Sequence, residues 1–451
     1  MRRLLLTAMT ALLLSVGAAW ANWLEDVGAA DKRGDYATEL RILRPLAAQG
    51  DADAQFLLGG MYDDGSGVKQ DYAEALKWFR LAAAQGEAHA QFTLGMMYDN
   101  GHGVTQDYAE SVRWYRLAAA QGHAGAQTNL GAMYADGQGV TQDYAEALKW
   151  YRLGTAQGNA MAQSDLGAMY YAGQGVTKSY AEALKWFRVA AAQGYAHAQF
   201  VLGEMYLRGQ GVNQDYEEAA KWFQLAAAQG IALAQDELGS MYGNGEGVKR
   251  DYIEAAKWFR LAAAQGNAHA QQHIGLMYFR GQGVKTDFVE AAKWFRKSAE
   301  QGDADAQYDL GLIYASGQGA KQDYVESVKW FRLAVAQGNA DAQFNLGVMY
   351  ASGQGVKQDY AEAAKWFRLA AAQGSGEAQS RLGAMFALGR GVPKDYVQAY
   401  MWFNLAAASG DNNAAMLRDN LERYDGMTAQ QVAKAQEMSR KCQQHNFKGC
   451  D

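Results

Sequence analysis

A tryptophan returns every 36 residues over most of this chain. Ten of its 12 tryptophans keep that spacing without a slip: Trp78, Trp114, Trp150, Trp186, Trp222, Trp258, Trp294, Trp330, Trp366 and Trp402. A period between about 20 and 50 residues is typical of repeat arrays, in which each unit is stable only through its neighbours. The 451 residues are therefore predicted to form one elongated array, although a chain of this length usually forms two or three globular domains.

One half of each unit has the pattern of a short amphipathic helix, which we call helix B; its first full copy spans residues 71–86. Asp71 and Glu74 have the spacing of a capping box, in which each side chain binds a backbone N–H at the helix start. Gly86 predicts the helix stop. A buried stripe follows from apolar residues at helical spacing, namely Tyr72, Leu76, Phe79 and Ala83. Trp78 and Ala82 widen this stripe, and we interpret the tryptophans as core rather than as a stacking platform for sugars or bases.

The other half of the unit predicts a second helix, helix A, whose copy at residues 88–98 begins Ala88-His89-Ala90-Gln91. The small residues Ala90 and Gly95 let neighbouring helices approach closely. A Gly-x-Gly turn at Gly101 and Gly103 then leads into the next helix B. Strand patterns are absent from the sequence, so the predicted fold is all-α with two helices per repeat.

The first 21 residues have the features of a secretory signal peptide. Arg2 and Arg3 precede an apolar run over residues 4–18, and a small-x-small site at residues 19–21 predicts cleavage after Ala21. An uncleaved membrane anchor is the alternative. With the signal removed, no stable membrane span is expected, and the chain is predicted to be periplasmic or secreted.

Both ends of the array depart from the repeat. Residues 22–50 are predicted to form an N-terminal cap with a degenerate helix B, in which Pro45 should cause a bend. Ten repeats occupy residues 51–410, and capping helices occupy 411–451, the last of them starting at about Thr428 with a Thr-x-x-Gln cap. Cys442 and Cys450 are predicted to form a disulfide that ties down the tail; free or intermolecular thiols are the alternative.

The unit Ala-x-Ala-Gln-x-x-Leu-Gly-x-Met-Tyr, Gly-x-Gly-Val, Asp-Tyr-x-Glu-Ala-x-Lys-Trp-Phe-Arg-x-Ala-Ala-x-Gln-Gly resembles the Sel1-like repeat (SLR), a longer relative of the tetratricopeptide repeat. The resemblance covers nearly all of the chain after residue 21. It implies a right-handed α/α superhelix that binds other proteins, commonly in bacterial envelopes, signalling or host contact. A cysteine-rich branch of the family is linked to penicillin binding and weak β-lactamase activity, but its repeats each contain a disulfide and the repeats here contain no cysteine.

No motif predicts catalysis, a cofactor or a metal. Ser66 and Lys69 match a Ser-x-x-Lys motif without the partner motifs that serine acylation needs. His89, His197 and His269 share one position in three units and are interpreted as ordinary helix-A histidines. Lys77 and Arg80 begin a basic stripe interleaved with glutamates, which predicts a solvated outer face. A formal net charge of −6 argues against a nucleic-acid partner.

Variation among the repeats concentrates on helix A, at the positions equivalent to Thr93, Met96 and Asn100. Their spacing of i, i+3 and i+7 places them on one face, which we call the variable face and which by analogy lines the groove of the array. The position equivalent to Asp99 adds large residues locally. The central patch predicted to bind a partner comprises Tyr171, Glu204, Leu207, Arg208, His273, Phe279 and Arg280. The alternative is neutral drift at positions that contact nothing.

The sequence thus predicts an exported, non-enzymatic scaffold whose groove binds a protein or peptide in an adaptor or assembly role in the bacterial envelope. Two alternatives remain open at this point. One is a secreted host-interaction factor that binds a glycoprotein. The other is a cell-wall or β-lactam hydrolase, for which no nucleophile with a base is visible.

Overall fold

The computed structural model describes residues 18–423, 425–447 and 449–450. These residues form 24 α-helices and no strand, which confirms the all-α prediction. Most of the predicted signal peptide lies outside the described residues, and the first helix begins at Ala18. The helices fall into two compact units that divide between Trp222 and Phe223.

The first unit begins with the cap helices α1 (Ala18–Arg33) and α2 (Tyr36–Ala48) and continues as alternating A and B helices. They are α3 (Ala52–Asp64), α4 (Tyr72–Ala84), α5 (Ala88–Asn100), α6 (Tyr108–Ala120), α7 (Ala124–Asp136), α8 (Tyr144–Ala156), α9 (Ala160–Ala172), α10 (Tyr180–Ala192), α11 (Ala196–Arg208) and the first part of α12 (Tyr216–Ala228).

The second unit takes up the rest of α12 and keeps the same alternation. Its helices are α13 (Ala232–Asn244), α14 (Tyr252–Ala264), α15 (Ala268–Arg280), α16 (Phe288–Glu300), α17 (Ala304–Ser316), α18 (Tyr324–Ala336), α19 (Ala340–Ser352), α20 (Tyr360–Ala372), α21 (Gly376–Leu388), α22 (Tyr396–Ala408), α23 (Asn412–Arg423) and α24 (Ala429–Gln444). The limits predicted for the two cap segments stay predictions.

At the start of helix B, one half of the predicted capping box is confirmed and the other half is wrong. The Asp71 carboxylate accepts from the backbone N–H groups of Ala73 and Glu74, as expected of an N-cap. The reciprocal bond is absent, because the Asp71 N–H donates to the Tyr62 carbonyl at 2.9 Å and the Glu74 carboxylate pairs with Lys77 at 3.0 Å. The Gly-x-Gly turn brings the cap residue back to the preceding helix A, so that helix supplies the acceptor. The same Tyr carbonyl bond recurs in later repeats.

The invariant glycine of helix A permits the closest contact within a repeat. A Cβ built at Gly95 would lie within 2.5 Å of the Tyr115 ring of the following helix B, and one at Gly347 would lie 2.8 Å from Phe367. Both distances are shorter than real Cβ contacts, which confirms that glycine is needed for this helix-helix approach. The turn glycines Gly101 and Gly103 have φ values of 69° and 71°, in the left-handed region that favours glycine.

The core is built on the aromatic residue that follows each tryptophan. Phe79 is 2% exposed and Phe367 is also 2% exposed, whereas the tryptophans from Trp78 to Trp366 are half-buried and only Trp402 is buried. The prediction of tryptophan as core was therefore correct only in part. Each indole lies at the edge of the core, where a cation commonly covers it, as Lys77 does at 5.4 Å from the Trp78 ring centroid.

A glutamine ladder, which the sequence analysis missed, joins successive repeats. The buried Gln91 donates to the Ala83 carbonyl at 3.2 Å and accepts from the amide of Gln121 at 2.8 Å. Equivalent pairs occur in both units, for example Gln373 with Gln343 at 2.9 Å. Because a buried amide must be hydrogen-bonded, this ladder fixes the stacking of neighbouring repeats. The signal was present in two glutamines, one of which recurs in every unit and the other in every unit except the last, where Ser409 replaces it.

The helices that flank the ten repeats pack against the first and the last of them. Leu24 and Val27 of α1 are buried against α2 and α3; α2 runs from Tyr36 to Ala48 with Pro45 inside it, so the predicted irregularity does not interrupt the helix. At the other end, Thr428 and Gln431 form the predicted capping box of α24. Cys442 and Cys450 are joined in a disulfide, as predicted.

Candidate partner-binding face

The variable face of helix A is accessible in both units. Every residue at the position equivalent to Asn100 is exposed, from Asp64 to Leu388, and nearly all residues at the other two variable positions are half-buried or exposed. The exception is Leu57, which is 1% exposed. Variation therefore occurs where side chains reach solvent, while the fixed leucine, glycine and glutamine of the same helices are buried.

In the first unit, the predicted patch residues interact with one another and with the neighbouring turn. Tyr171 donates its hydroxyl hydrogen to Oε1 of Gln210 at 2.8 Å, and its ring meets Tyr180 edge-on with centroids 5.2 Å apart. Arg208 Nη2 lies 2.5 Å from Glu204 Oε2. Glu204 Oε1 is buried without a hydrogen-bond partner, and Leu207 is half-buried. The two charges of this patch therefore largely neutralise each other.

In the second unit, the structure separates the three predicted residues. His273 and Arg280 line one cleft of about 320 Å³, whereas Phe279 instead meets Phe288 edge-on at 5.2 Å. The His273 ring lies 4.8 Å from the Phe259 ring. Burial, followed by the nearby His269, lowers the pKa of His273, so its imidazole is neutral at pH 7.

The His273 cleft has a second copy three repeats later. The first copy is lined by Ser240, Gly243, Asn244, Tyr252, Ala255, Phe259, His273, Leu276, Met277, Arg280 and Gln282. The second, which we call the Arg381 cleft, measures about 340 Å³ and is lined by Val348, Ala351, Ser352, Tyr360, Phe367, Arg381, Ala384, Met385, Leu388 and Arg390. Nearly every lining residue of one occupies the position of a lining residue in the other.

Fixed and variable positions contribute differently to these clefts. Two consecutive A helices form the walls, and the helix B between them supplies the floor, with a tyrosine and a phenylalanine in each case: Tyr252 and Phe259, or Tyr360 and Phe367. The remaining side chains come mainly from the variable face and the turn. The scaffold thus repeats one cleft and varies its chemistry. Sequence comparison identified the variable positions, but Arg381, Leu388 and Arg390 were missed because the predicted patch stopped at Arg280.

Several carboxyl groups of helix A are buried enough to titrate near neutrality. Burial raises the pKa of Asp309 to about 6, against the lowering effect of a hydrogen bond from Gln272 at 2.8 Å. Burial likewise raises the pKa of Asp236 to about 6. In the first unit, burial and then Asp136 raise the pKa of Asp165 to about 7.

The histidines of the first unit form a contact that the sequence did not predict. His123 Nε2 lies 3.2 Å from His89 Nδ1, and His123 Nδ1 accepts from the Ala126 N–H as the cap of α7. Burial, then the neighbouring His89, lowers the pKa of His123 to about 4. Among the residues that the structure describes, no group of three or more potential ligands could hold a metal ion.

A sequence model of the Sel1 repeat matches ten consecutive segments from residue 52 to residue 411, each of 36 residues and each made of one helix A and the following helix B. The chain belongs to the Sel1 repeat family. Its described helices form the repeat solenoid of that family, a scaffold of the kind that suits protein interaction and is typically non-catalytic.

Two solved structures support this assignment. The chain is 37% identical to the uropathogenic Escherichia coli protective antigen c5321, which displays an SLR fold; the match covers 94% of this chain and 96% of that chain, with a TM-score of 0.78. It is 35% identical to a Sel1 repeat protein of Oxalobacter formigenes over 68% of this chain and 89% of that one, with a TM-score of 0.52. No curated protein matches the chain.

The described helices of this Sel1 repeat protein include none that is both long and apolar enough to cross a bilayer.

Proposed function

We propose that this Sel1 repeat protein is an exported scaffold that binds a protein or peptide partner through the variable face of helix A, in an adaptor or assembly role in the bacterial envelope. The observation that carries the proposal is the repeated cleft. Its floor is kept the same in two places, while its rim changes from Asn244, His273 and Arg280 to Ser352, Arg381 and Leu388.

The chemistry of these clefts favours a peptide over a small metabolite. Each combines an aromatic floor with a few polar side chains and opens on the solvent side, because the residues equivalent to Asn100 are exposed. Aromatic and arginine side chains are common anchors in protein interfaces. A partner in extended or helical conformation can place one side chain in a cleft and leave its backbone at the rim.

Export supports the envelope as the site of action. The N-terminal sequence pattern predicts a signal peptide, and the Cys442–Cys450 disulfide suits an oxidising compartment. A secreted host-interaction factor is the second candidate, which the likeness to a protective antigen of uropathogenic Escherichia coli favours. Finding the chain in culture medium rather than in the periplasm would support that second destination.

Photo-crosslinking in cells tests the proposal. A crosslinking amino acid is placed at Arg280 on the variable face and, as a control, at Lys249, an exposed loop residue that lines neither cleft. We expect a discrete adduct from position 280 and none from 249, and His273→Ala with Arg280→Glu should abolish it while a Lys249→Glu variant retains it.

The first unit is tested in the same way, with the crosslinker at Leu207 and the variant Tyr171→Ala with Arg208→Glu. Circular dichroism shows whether each variant is folded. If adducts form equally from Lys249, or if folded variants of both units keep every adduct, the variable face is not the binding surface.

A further inference from the structure

The Arg381 cleft differs from its copy in having two arginines whose charges are uncompensated. Arg381 replaces His273 and Arg390 replaces Gln282 at the equivalent positions. Most cations on helix B have a partner: for example, Lys365 lies 2.6 Å from Glu362. Within the described part of the chain, no carboxylate lies within ion-pair distance of Arg381 or Arg390, and the contact formed by Arg390 is with the Tyr360 ring at 5.8 Å.

Apart from Ser352, the remaining wall residues of this cleft are apolar. Val348, Met385 and Leu388 stand where the other cleft has Ser240, Met277 and Arg280. Leu388 is 61% exposed. A ligand that covers Leu388 would therefore gain hydrophobic burial in addition to any contact with the arginines.

We propose that the Arg381 cleft binds the C-terminal residue of a partner protein, with the free carboxylate held by Arg381 and Arg390 and an aliphatic side chain placed against Val348, Met385 and Leu388. A C-terminal residue carries its anion and its apolar side chain on the same Cα, so both fit one cleft of about 340 Å³. An internal Asp or Glu has the anion at the end of its own side chain and needs a neighbouring residue to cover Leu388. Arginine suits the role because its planar guanidinium donates two parallel hydrogen bonds to a carboxylate.

This inference rests on the proposed function, since it names the part of the partner that the variable face recognises. It makes a narrower claim, because a partner captured at Arg280 or Leu207 need not have a free C-terminus in the Arg381 cleft. The two proposals can therefore fail separately.

The test uses the chain from Asn22 onward, without the predicted signal peptide. The ligands are fluorescent octapeptides ending in Leu, Val, Phe or Ala, each made as the free acid and as the C-terminal amide. Anisotropy titrations should show that free acids ending in Leu or Val bind at least tenfold more tightly than their amides, a difference of about 1.4 kcal/mol. Arg381→Gln and Arg390→Gln should each lower free-acid affinity about tenfold and leave amide affinity unchanged.

Two controls separate this site from general electrostatic attraction. Arg260→Gln removes an exposed helix-B arginine that lines neither cleft and should leave free-acid binding unchanged. Leu388→Ser should weaken the peptides ending in Leu and Val more than the one ending in Ala. Equal binding of acids and amides, equal loss in the Arg260→Gln variant, or no binding by any free acid would overturn the proposal, while adducts at Arg280 or Leu207 would still support the wider function.

Discussion

The two clefts of the second unit are lined from equivalent positions of the repeat but differ in their chemistry. The His273 cleft is lined by a neutral imidazole, amides and one arginine, and Asp309 and Asp236 lie on the surrounding A helices. The Arg381 cleft has two arginines above an apolar wall. Because the floors are the same, a few substitutions on the variable face account for the difference. A repeat scaffold can therefore change ligand chemistry without changing its packing.

Truncating the phenylalanine at the floor of each cleft should have the largest effect on the free energy of unfolding, and the effect should be similar for the two clefts. Phe367→Ala and Phe259→Ala each delete a buried ring, 2% and 5% exposed respectively, and we expect each to lower the free energy of unfolding by about 3–5 kcal/mol. Urea denaturation followed by circular dichroism measures this loss. A much smaller loss for one of the pair would show that the two floors are not equivalent.

Exchanging the rims should move carboxylate binding from one cleft to the other. Starting from Arg381→Gln with Arg390→Gln, the further changes His273→Arg, Arg280→Leu and Gln282→Arg should restore about tenfold in free-acid affinity. Asp309→Asn is included because the Asp309 carboxylate lies close enough to this cleft to interact electrostatically with Arg280, and its negative charge would repel the peptide carboxylate. Anisotropy with the octapeptide ending in Leu reports the result; a folded variant without recovery would mean that the side chains named here are insufficient.

Residues near the two clefts should also differ in how their contribution to the free energy of unfolding depends on pH. Burial raises the pKa of Asp309 to about 6, so ionising this carboxyl group destabilises the folded chain. The stability of the chain with protonated Asp309 is fully present in acid and is lost as pH rises from about 4 through 6. Asp309→Asn should therefore increase the free energy of unfolding by about 1 kcal/mol at pH 7.5 and change little at pH 4.

Arg381→Gln is the matched control for that measurement, because a guanidinium stays charged throughout this range. Its effect on the denaturation midpoint should be the same at pH 4 and pH 7.5. A pH-independent effect of Asp309→Asn would contradict the assignment of a raised pKa to that carboxyl group.

The smallest effect is expected on the outer face, where the two repeats do not differ. Lys257 and Lys365 pair with Glu254 and Glu362 at 3.1 and 2.6 Å, and both lysines are largely exposed. Exposed ion pairs contribute little to stability because water and salt screen them. Lys257→Ala and Lys365→Ala should give equal, small shifts in the denaturation midpoint and no change in peptide binding. Unequal shifts would mean that the outer face also distinguishes the repeats.

Local sequence patterns were sufficient to predict the helices, their N-caps and stops, and the face of helix A that varies. These features depend on local rules, such as Asp71 at an N-cap and Gly86 after a helix end, and ten copies in one chain reveal them without an alignment. The helix that begins after Thr428 was predictable from its local Thr-x-x-Gln cap. The terminal disulfide was predictable because Cys442 and Cys450 are the two cysteines of a chain with a predicted signal peptide.

The residues that meet across repeats could not be predicted from such patterns, because they depend on how the helices pack. The Asp71 N–H binds Tyr62 rather than Glu74, Trp78 lies at the edge of the core while Phe79 fills it, and Arg381 and Arg390 converge on one cleft. Each of these contacts joins residues whose relative positions depend on how neighbouring helices stack. That stacking depends on close packing at Gly95 and its equivalents and on the glutamine ladder, so periodicity within one helix could not predict it.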